Sequence, residues 1–382
     1  MPRATAWGTL AAVMSASAGP PRGLRGGVAL APLTTFELGG PARWLVEAGD
    51  AAAVVDALRW ARERGLPVTV LGGGSNVVVA DSGVDGLVLR VVACGVAVEA
   101  EAGGVLVTAA AGEPWDALVE RCVGEGWAGL ECLSGIPGTA GATPIQNVGA
   151  YGQEAGDTIE RVRAIDRASL EVVELGARDL GLGYRTSTLR EQPDRFVVVS
   201  VSFRLRPAGS PTIAYPELAN ALAVERHPPS LAAVRRAVLE LRRSKSMVID
   251  PADPNRRSAG SFFVNPVLAP HELRAVQERS LAAGIDEAVP SFPAGGDRRK
   301  VPAAWLIERA GFGKGHVAGR VGISTRHALA LVNRGGATTG ELLGLARGIR
   351  TRVGELFGVR LRPEPVFLGF PPGDPLEGGE AG

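Results

Sequence analysis

The chain has 382 residues, with 41 Lys and Arg against 40 Asp and Glu for a formal charge of +1. At about 150 residues per domain that length allows two or three domains, and the charge balance excludes a basic nucleic-acid binder or an electrostatic membrane adsorber. Hydrophobic residues make up 46% and charged residues 21%, which excludes an intrinsically disordered chain.

Residues 1–18 hold a weak apolar run at 9–14 followed by Ser and Ala. A bilayer span takes about 20 apolar residues and a secretory core is stronger than this, so residues 1–28 are expected to be a disordered extension and no membrane span is expected. Hydrophobic patterning then predicts a strand at 44–48, a helix at 51–64 and a β-branched strand at 67–71 that runs into Gly72-Gly73-Gly74-Ser75-Asn76. A strand at 77–79, a turn at 81–83 and strands at 87–92, 96–101 and 105–110 follow, then a helix at 115–125 that stops at Gly126. Strands at 159–166, 170–174 and 196–205 close this half, and Pro207 to Pro211 reads as a junction. Beyond it the pattern predicts helices at 230–244, 302–310 and 339–357, the last capped by Thr338, a strand at 328–332, and a Pro- and Gly-rich tail at 370–382. The alternation is α+β, without regular βαβ units.

Cys94, Cys122 and Cys132 are odd in number and lack CxxC spacing, while His227, His271, His316 and His327 are scattered, so neither a disulfide framework nor a metal site is predicted. A reducing, cytoplasmic setting fits that usage. Lysine occurs only at 245, 300 and 314. The 52 glycines and 27 prolines are about a fifth of the chain, against a usual share of about 12%. Gly72-Gly73-Gly74-Ser75-Asn76 can turn backbone N–H groups toward a phosphate, but by itself it reads equally as a turn between strands and matches neither GxGxxG nor a P-loop. A second stretch, Ser134-Gly135-Ile136-Pro137-Gly138-Thr139-Ala140-Gly141-Ala142 with Ile145-Gln146-Asn147-Val148-Gly149-Ala150-Tyr151-Gly152, sets donors among apolar residues. Such a backbone suits a flat, phosphorylated ligand with the shape of a flavin dinucleotide.

These two stretches, together with Tyr184-Arg185-Thr186-Ser187, Ser258-Ala259-Gly260-Ser261-Phe262-Phe263-Val264-Asn265-Pro266 and Arg362-Pro363-Glu364, resemble in order the UDP-N-acetylenolpyruvoylglucosamine reductase family. The resemblance runs from about residue 34 to 369. It implies a two-lobed FAD-binding fold of the vanillyl-alcohol oxidase type at 39–207 and a smaller C-terminal α+β substrate domain at 212–369. It also implies non-covalent FAD, NADPH as co-substrate, and reduction of UDP-N-acetylglucosamine enolpyruvate to UDP-N-acetylmuramate for peptidoglycan. On the same resemblance Arg185 and a protonated Glu364 support the enolate, and Ser261 is the proton donor. FAD contacts are expected from Gly72, Gly73, Gly74, Ser75, Asn76, Ser134, Gly138, Gly141, Asn147, Gly149, Ala150 and Tyr151. Substrate contacts are expected from Tyr184, Tyr215, Lys245 and Asn265, with Asn333 a further candidate. Val264 departs from the family, where many members carry Lys. No metal, nucleic acid or membrane partner is implied, and a cytoplasmic monomer is expected.

Taken singly, Arg185 reads as a surface or salt-bridged residue, Ser261 as a cap and Glu364 as a solvated side chain. Their order along the chain is what gives them weight. Two rival functions stand beside the reductase. An oxygen-using oxidase of the same flavin fold often tethers its flavin through His or Cys, yet no His occurs in residues 1–226. A non-catalytic nucleotide-sugar binding module would need the Gly-rich loops but not Arg185, Ser261 and Glu364 together.

Overall fold

A computed structural model describes residues 19–223 and 228–377. Contacts divide the described residues into two compact units, the first built from 19–28, 42–74, 85–223 and 228–243, the second from 29–41, 75–84 and 244–377.

In the first unit a four-stranded sheet has the order Arg25–Ala29, Pro41–Ala48, Val84–Val91, Val68–Leu71, and its last two strands run parallel. Helix α1 (Ala51–Glu63) begins where the Asp50 carboxylate accepts from Ala53 N–H at 2.8 Å, the usual way an N-cap satisfies an orphan donor. It buries Val54, Val55, Leu58 and Ala61 on one stripe. A larger antiparallel sheet has the order Val172–Gly176, Ile159–Asp166, Phe196–Pro207, Gly104–Ala110, Val96–Glu101. Its central strand, Phe196–Pro207, is buried almost throughout. Helix α2 (Trp115–Gly124) contributes Trp115 to that core, with its ring 5.6 Å from Phe203. Short helices α3 (Thr188–Glu191) and α4 (Pro216–Leu222) and the longer α5 (Leu231–Ser244) complete the unit.

The second unit gathers Phe36, Leu38 and Val78 from the N-terminal half into a core with Phe262, Phe263, Leu306, Leu342, Ile349 and Phe357. Its helices are α6 (Pro270–Ala282), α7 (Ala303–Arg309) and α8 (Thr339–Phe357). Val77–Val79 pairs in parallel with Val366–Leu368. Two residues on, the Asp81 carboxylate accepts from the N–H groups of Thr339 and Gly340, both at 2.8 Å. An acidic group there satisfies orphan donors and complements the positive end of α8. Thr338 and Glu341 form a capping box at the same terminus.

Most elements lie where patterning placed them, and five differences stand out. Residues 19–28 are not a loose extension: Arg25–Ala29 is an edge strand of the four-stranded sheet, whereas residues 1–18 lie outside the described residues. The strand expected at 170–174 starts later, at Val172–Gly176, because the Asp166 carboxylate holds the N–H groups of Ala168 and Ser169 in a turn. Likewise the strand expected at 328–332 narrows to Leu331–Asn333, since residues ahead of it turn back on themselves, Ala330 N–H donating to His327 C=O. The tail expected from residue 370 is packed as far as it is described: Leu376 is buried and Asp374 pairs with Arg350. The compact units also divide at Arg243 rather than at 207–211. Leu218, Leu222, Val234 and Val238 cluster with Cys132, and Arg235 on α5 grips Asp116 on α2 through bonds of 2.6 and 2.9 Å.

Burial opposes ionisation of Asp116, but hydrogen bonds from Arg235 and Gly135 outweigh it and hold the carboxyl below its ordinary 3.8. Its folded-state value being depressed, the pair's stabilisation is complete above the ordinary value and is lost as pH falls through the folded one. Arg235→Ala is expected to lower unfolding free energy by about 2 kcal/mol, less than a fully buried pair because Asp116 is partly exposed. Urea midpoints measured across the acid range check this: the variant should also lose part of its acid sensitivity below 3.8, and an unchanged midpoint would show that α5 docks without the pair.

Candidate active site

In the first unit the two Gly-rich stretches meet. A Cβ on Gly73 would lie 2.8 Å from Gly138 Cα, and one on Gly72 would lie 3.1 Å from Thr139 Oγ1. Only glycine lets two backbones approach so closely. The second stretch is laid along the segment before α2: Gly141 N–H donates to Ala111 C=O, Ala140 N–H to Glu113 C=O and Trp115 N–H to Gly138 C=O. A Cβ on Gly141 would meet Ala111 Cβ at 2.5 Å. The loop start is held from α2 as well, since Gly135 N–H donates to Asp116 at 2.6 Å and Trp115 Nε1 to Leu133 C=O. The result is a narrow, rigid, small-residue cradle.

Arg185 is fastened to the end of that cradle. Its Nη2 donates to Gly149 C=O at 2.8 Å and its Nη1 reaches Asn147 C=O at 3.5 Å. Both acceptors are backbone carbonyls of the loop, and they orient the guanidinium. Its backbone sits at φ 56°, a left-handed conformation that costs a non-glycine residue roughly 1–2 kcal/mol. Ser187 secures the same turn, accepting from Arg190 N–H to cap α3 and donating to Ile145 C=O. Arg242 contributes a second positive charge. Burial pulls its pKa down to about 10, and the like charge of Arg185 pushes the same way. Tyr184 lies under Arg185 with the guanidinium carbon 5.8 Å from its ring centroid. Tyr151 meets Tyr215 edge-on at 5.7 Å, and Tyr215 is 45% exposed at the start of α4.

In the second unit Ser261 and Glu364 are placed by one backbone ladder. Phe262 N–H donates to Leu329 C=O at 2.8 Å, Glu364 N–H to Phe262 C=O at 2.9 Å and Val264 N–H to Arg362 C=O at 3.0 Å. Phe262 and Phe263 are buried beneath, so Ser261 and Glu364 are held on extended segments anchored by isolated β-bridges and buried rings. Ser75 and Asn76 also belong to this unit. Asn76 accepts from Val366 N–H and its Nδ2 donates to Glu364 C=O at 3.4 Å, so it braces the segment that carries Glu364. Lys245 follows directly on α5 and is half-buried.

Several expected ligand contacts have their side chains committed elsewhere. Asn147 donates to Glu154 and to Gly183 C=O and accepts from Gly156 N–H. Buried Ser134 donates to Glu131 C=O, and Asn265 accepts from Ala303 N–H at the start of α7. Asn333 donates to Phe36 C=O and accepts from Gly335 N–H. Their side chains hold loops, whereas the backbones of Asn147 and Ser134 remain part of the cradle. Sequence reasoning missed three other groups: Arg242, Asp116 and His327. Arg242 and Asp116 look like ordinary members of helix patterns, and His327 has no motif around it. Only His327 reaches an expected catalytic group, its Nε2 lying 3.3 Å from Ser261 Oγ.

The close-packed glycine cradle, with donors at Ser134 to Tyr151, fits a flavin dinucleotide on the test of shape: it offers backbone and leaves no room for a Cβ at Gly73. The cysteines do not suggest a covalent tether, because burial pushes the Cys132 and Cys122 thiols up to about 12, far from the reactive thiolate range. Comparison with known proteins agrees with the fit. Residues 42–176 match the family model described as FAD binding domain, and residues 251–368 match that described as UDP-N-acetylenolpyruvoylglucosamine reductase, C-terminal domain. A reductase of that name from Saccharopolyspora erythraea is 52% identical over 351 residues, covering 90% of this chain and 95% of the relative. Another from Nocardia farcinica is 50% identical, covering 91% and 90%. The crystal structure of the enzyme from Thermus caldophilus superposes with a TM-score of 0.60 at 26% identity, covering 89% of this chain and 97% of that one.

Gly73→Ala tests the cradle. The added methyl group meets backbone at 2.8 Å, and forcing it in should cost about 1–3 kcal/mol and lower the flavin retained per polypeptide. Visible absorbance after gel filtration, read with a thermal melt, checks both. Full flavin content at an unchanged melting temperature would mean that the two loops can part freely.

Proposed function

The chain belongs to the UDP-N-acetylenolpyruvoylglucosamine reductase family, and from that premise we propose which of its residues carry the reaction. The reaction is NADPH-dependent reduction of the enolpyruvyl group of UDP-N-acetylglucosamine enolpyruvate to UDP-N-acetylmuramate, in peptidoglycan precursor synthesis. When bound, FAD takes two electrons from NADPH and passes them to the substrate's double bond.

Reduction at the carbon distal to the carboxylate builds negative charge on the carboxylate as an enolate. Arg185 supplies positive charge to that developing anion, and Glu364, protonated, donates a hydrogen bond to it. Preorganised groups of this kind are each worth about 3 kcal/mol, because their orientation is set before the charge appears. The observation that carries the reading is the joint preparation of these groups. Arg185 is oriented by backbone carbonyls of the loop it rests on, and Ser261 and Glu364 lie on extended segments whose backbones bond to one another. Ser261 then delivers its hydroxyl proton to the carbon next to the carboxylate. Tyr184, Tyr215 and Lys245 are assigned to substrate binding, Lys245 to the diphosphate, and the backbones of residues 72–76 and 134–151 to FAD.

Among the described residues no helix is long and apolar enough to cross a membrane. We read the protein as a cytoplasmic monomer: its substrate is a nucleotide-activated precursor, and a solution mass near 39.5 kDa supports the reading, whereas twice that mass would overturn it.

Ser261→Ala separates the two half-reactions. NADPH should bleach the flavin at the rate of the parent protein, while reoxidation by the enolpyruvyl substrate should slow by about 100-fold or more. Glu364→Gln and Arg185→Ala should slow the same step by about 10²–10³. Anaerobic stopped-flow absorbance measures each phase, and parental reoxidation in Ser261→Ala would remove Ser261 from the chemistry.

A further inference from the structure

Among the described residues Glu131 is the only buried acidic side chain, with none of its surface exposed, and the reaction as assigned above makes no use of it. An anion in the interior is costly unless hydrogen bonds replace its hydration. Here N–H donors supply them. Gly129 N–H donates to Oε2 at 2.7 Å, and Thr212 N–H and Gln153 Nε2 donate to Oε1 at 2.8 and 3.3 Å. Gln153 is itself fixed, its Oε1 accepting from Cys132 N–H at 2.9 Å. A carboxylate accepts on both oxygens, whereas an amide would turn its own N–H groups against one of these donors. Gly129 and Gln153 flank the glycine cradle, but Thr212 lies on the segment that leads into α4. The Thr212 carbonyl is held as well, by the Cys132 S–H at 3.1 Å, and Ile213 packs against the cluster of Cys132, Leu218 and Val234. Gly152 then makes room for the chain: a Cβ there would lie 3.1 Å from Ala214 Cβ and 3.5 Å from Tyr215 N. Tyr215 follows at the head of α4, its ring edge-on to Tyr151. A brace for the cradle alone would have no need of Thr212.

We propose that Glu131 is a positioning residue for Tyr215: by holding Thr212 against the two ends of the cradle, its carboxylate fixes the segment that presents Tyr215 to the substrate. The proposal rests on Tyr215 being a substrate contact. Tyr215 is itself 45% exposed, so its place is set from beneath, three residues back along the chain. Holding the segment before substrate arrives spares the ordering cost that binding would otherwise bear. The effect is on affinity, because Glu131 touches neither the flavin loops' small-residue contacts nor the groups assigned to the chemistry.

The test compares Glu131→Gln, Tyr215→Ala and the double variant in steady state at saturating NADPH, with flavin content and a thermal melt recorded for each. Glu131→Gln should keep its flavin and its kcat while KM for UDP-N-acetylglucosamine enolpyruvate rises about 5- to 20-fold, the mark of lost binding rather than lost chemistry. The double variant should have a KM no higher than that of Tyr215→Ala, because Glu131 acts through Tyr215. A purely structural role predicts a lower melting temperature or lost flavin at parental KM. Parental KM in Glu131→Gln, or a further rise in the double variant, overturns the proposal while leaving Tyr215 as a substrate contact. Parental KM in Tyr215→Ala overturns both readings. Should Glu131→Gln fail to hold flavin, Thr212→Pro makes the same comparison: it leaves the carboxylate on Gly129 and Gln153 and removes only the N–H that ties down the segment. A raised KM at full flavin content is then expected, and parental KM or lost flavin in that variant overturns the proposal.

Discussion

The parallel pairing of Val77–Val79 with Val366–Leu368 is the constraint from which the second unit follows. It joins segments almost 290 residues apart, and the loop-closure cost of doing so grows only slowly with length. Once it forms, Val78 enters the same core as Phe262 and Phe263, and Asp81 is in place to cap α8. Asn76 is left beside the segment that carries Glu364, just ahead of that strand. A segment early in the chain thereby becomes the brace for a residue near its end.

The chemistry of each unit depends on who satisfies the backbone. In the first, glycines bring two loops into contact, and Asp116, Asn147 and Ser134 spend their side chains tying those loops down. Arg185 then rests on carbonyls of the tied loop, in a left-handed conformation that the surrounding contacts maintain. In the second, backbone bonds of Phe262, Val264 and Glu364 fix the segments that carry Ser261 and Glu364.

Charge is arranged to the same end. Arg235 neutralises Asp116, whereas burial and the like charge of Arg185 both weigh against protonated Arg242.

Motif order alone was enough to identify the family, because GGGSN, the 134–152 stretch, YRTS, SAGSFF and RPE each pair a backbone demand with a chemical one. Periodicity also located α1, α2, α5 and α8, whose apolar stripes and caps are local features. Tertiary structure alone decided that residues 29–41 and 75–84 join the second core, that α5 belongs with the first, and that Arg25–Ala29 is a strand. It also showed what the side chains of Asn147, Asn265 and Asn333 hold within the chain, and gave His327 a neighbour in Ser261. The reason is common to all of these. A sequence pattern records what a residue needs from its near neighbours, whereas a hydrogen-bond partner 66 residues away exists only once the chain has folded.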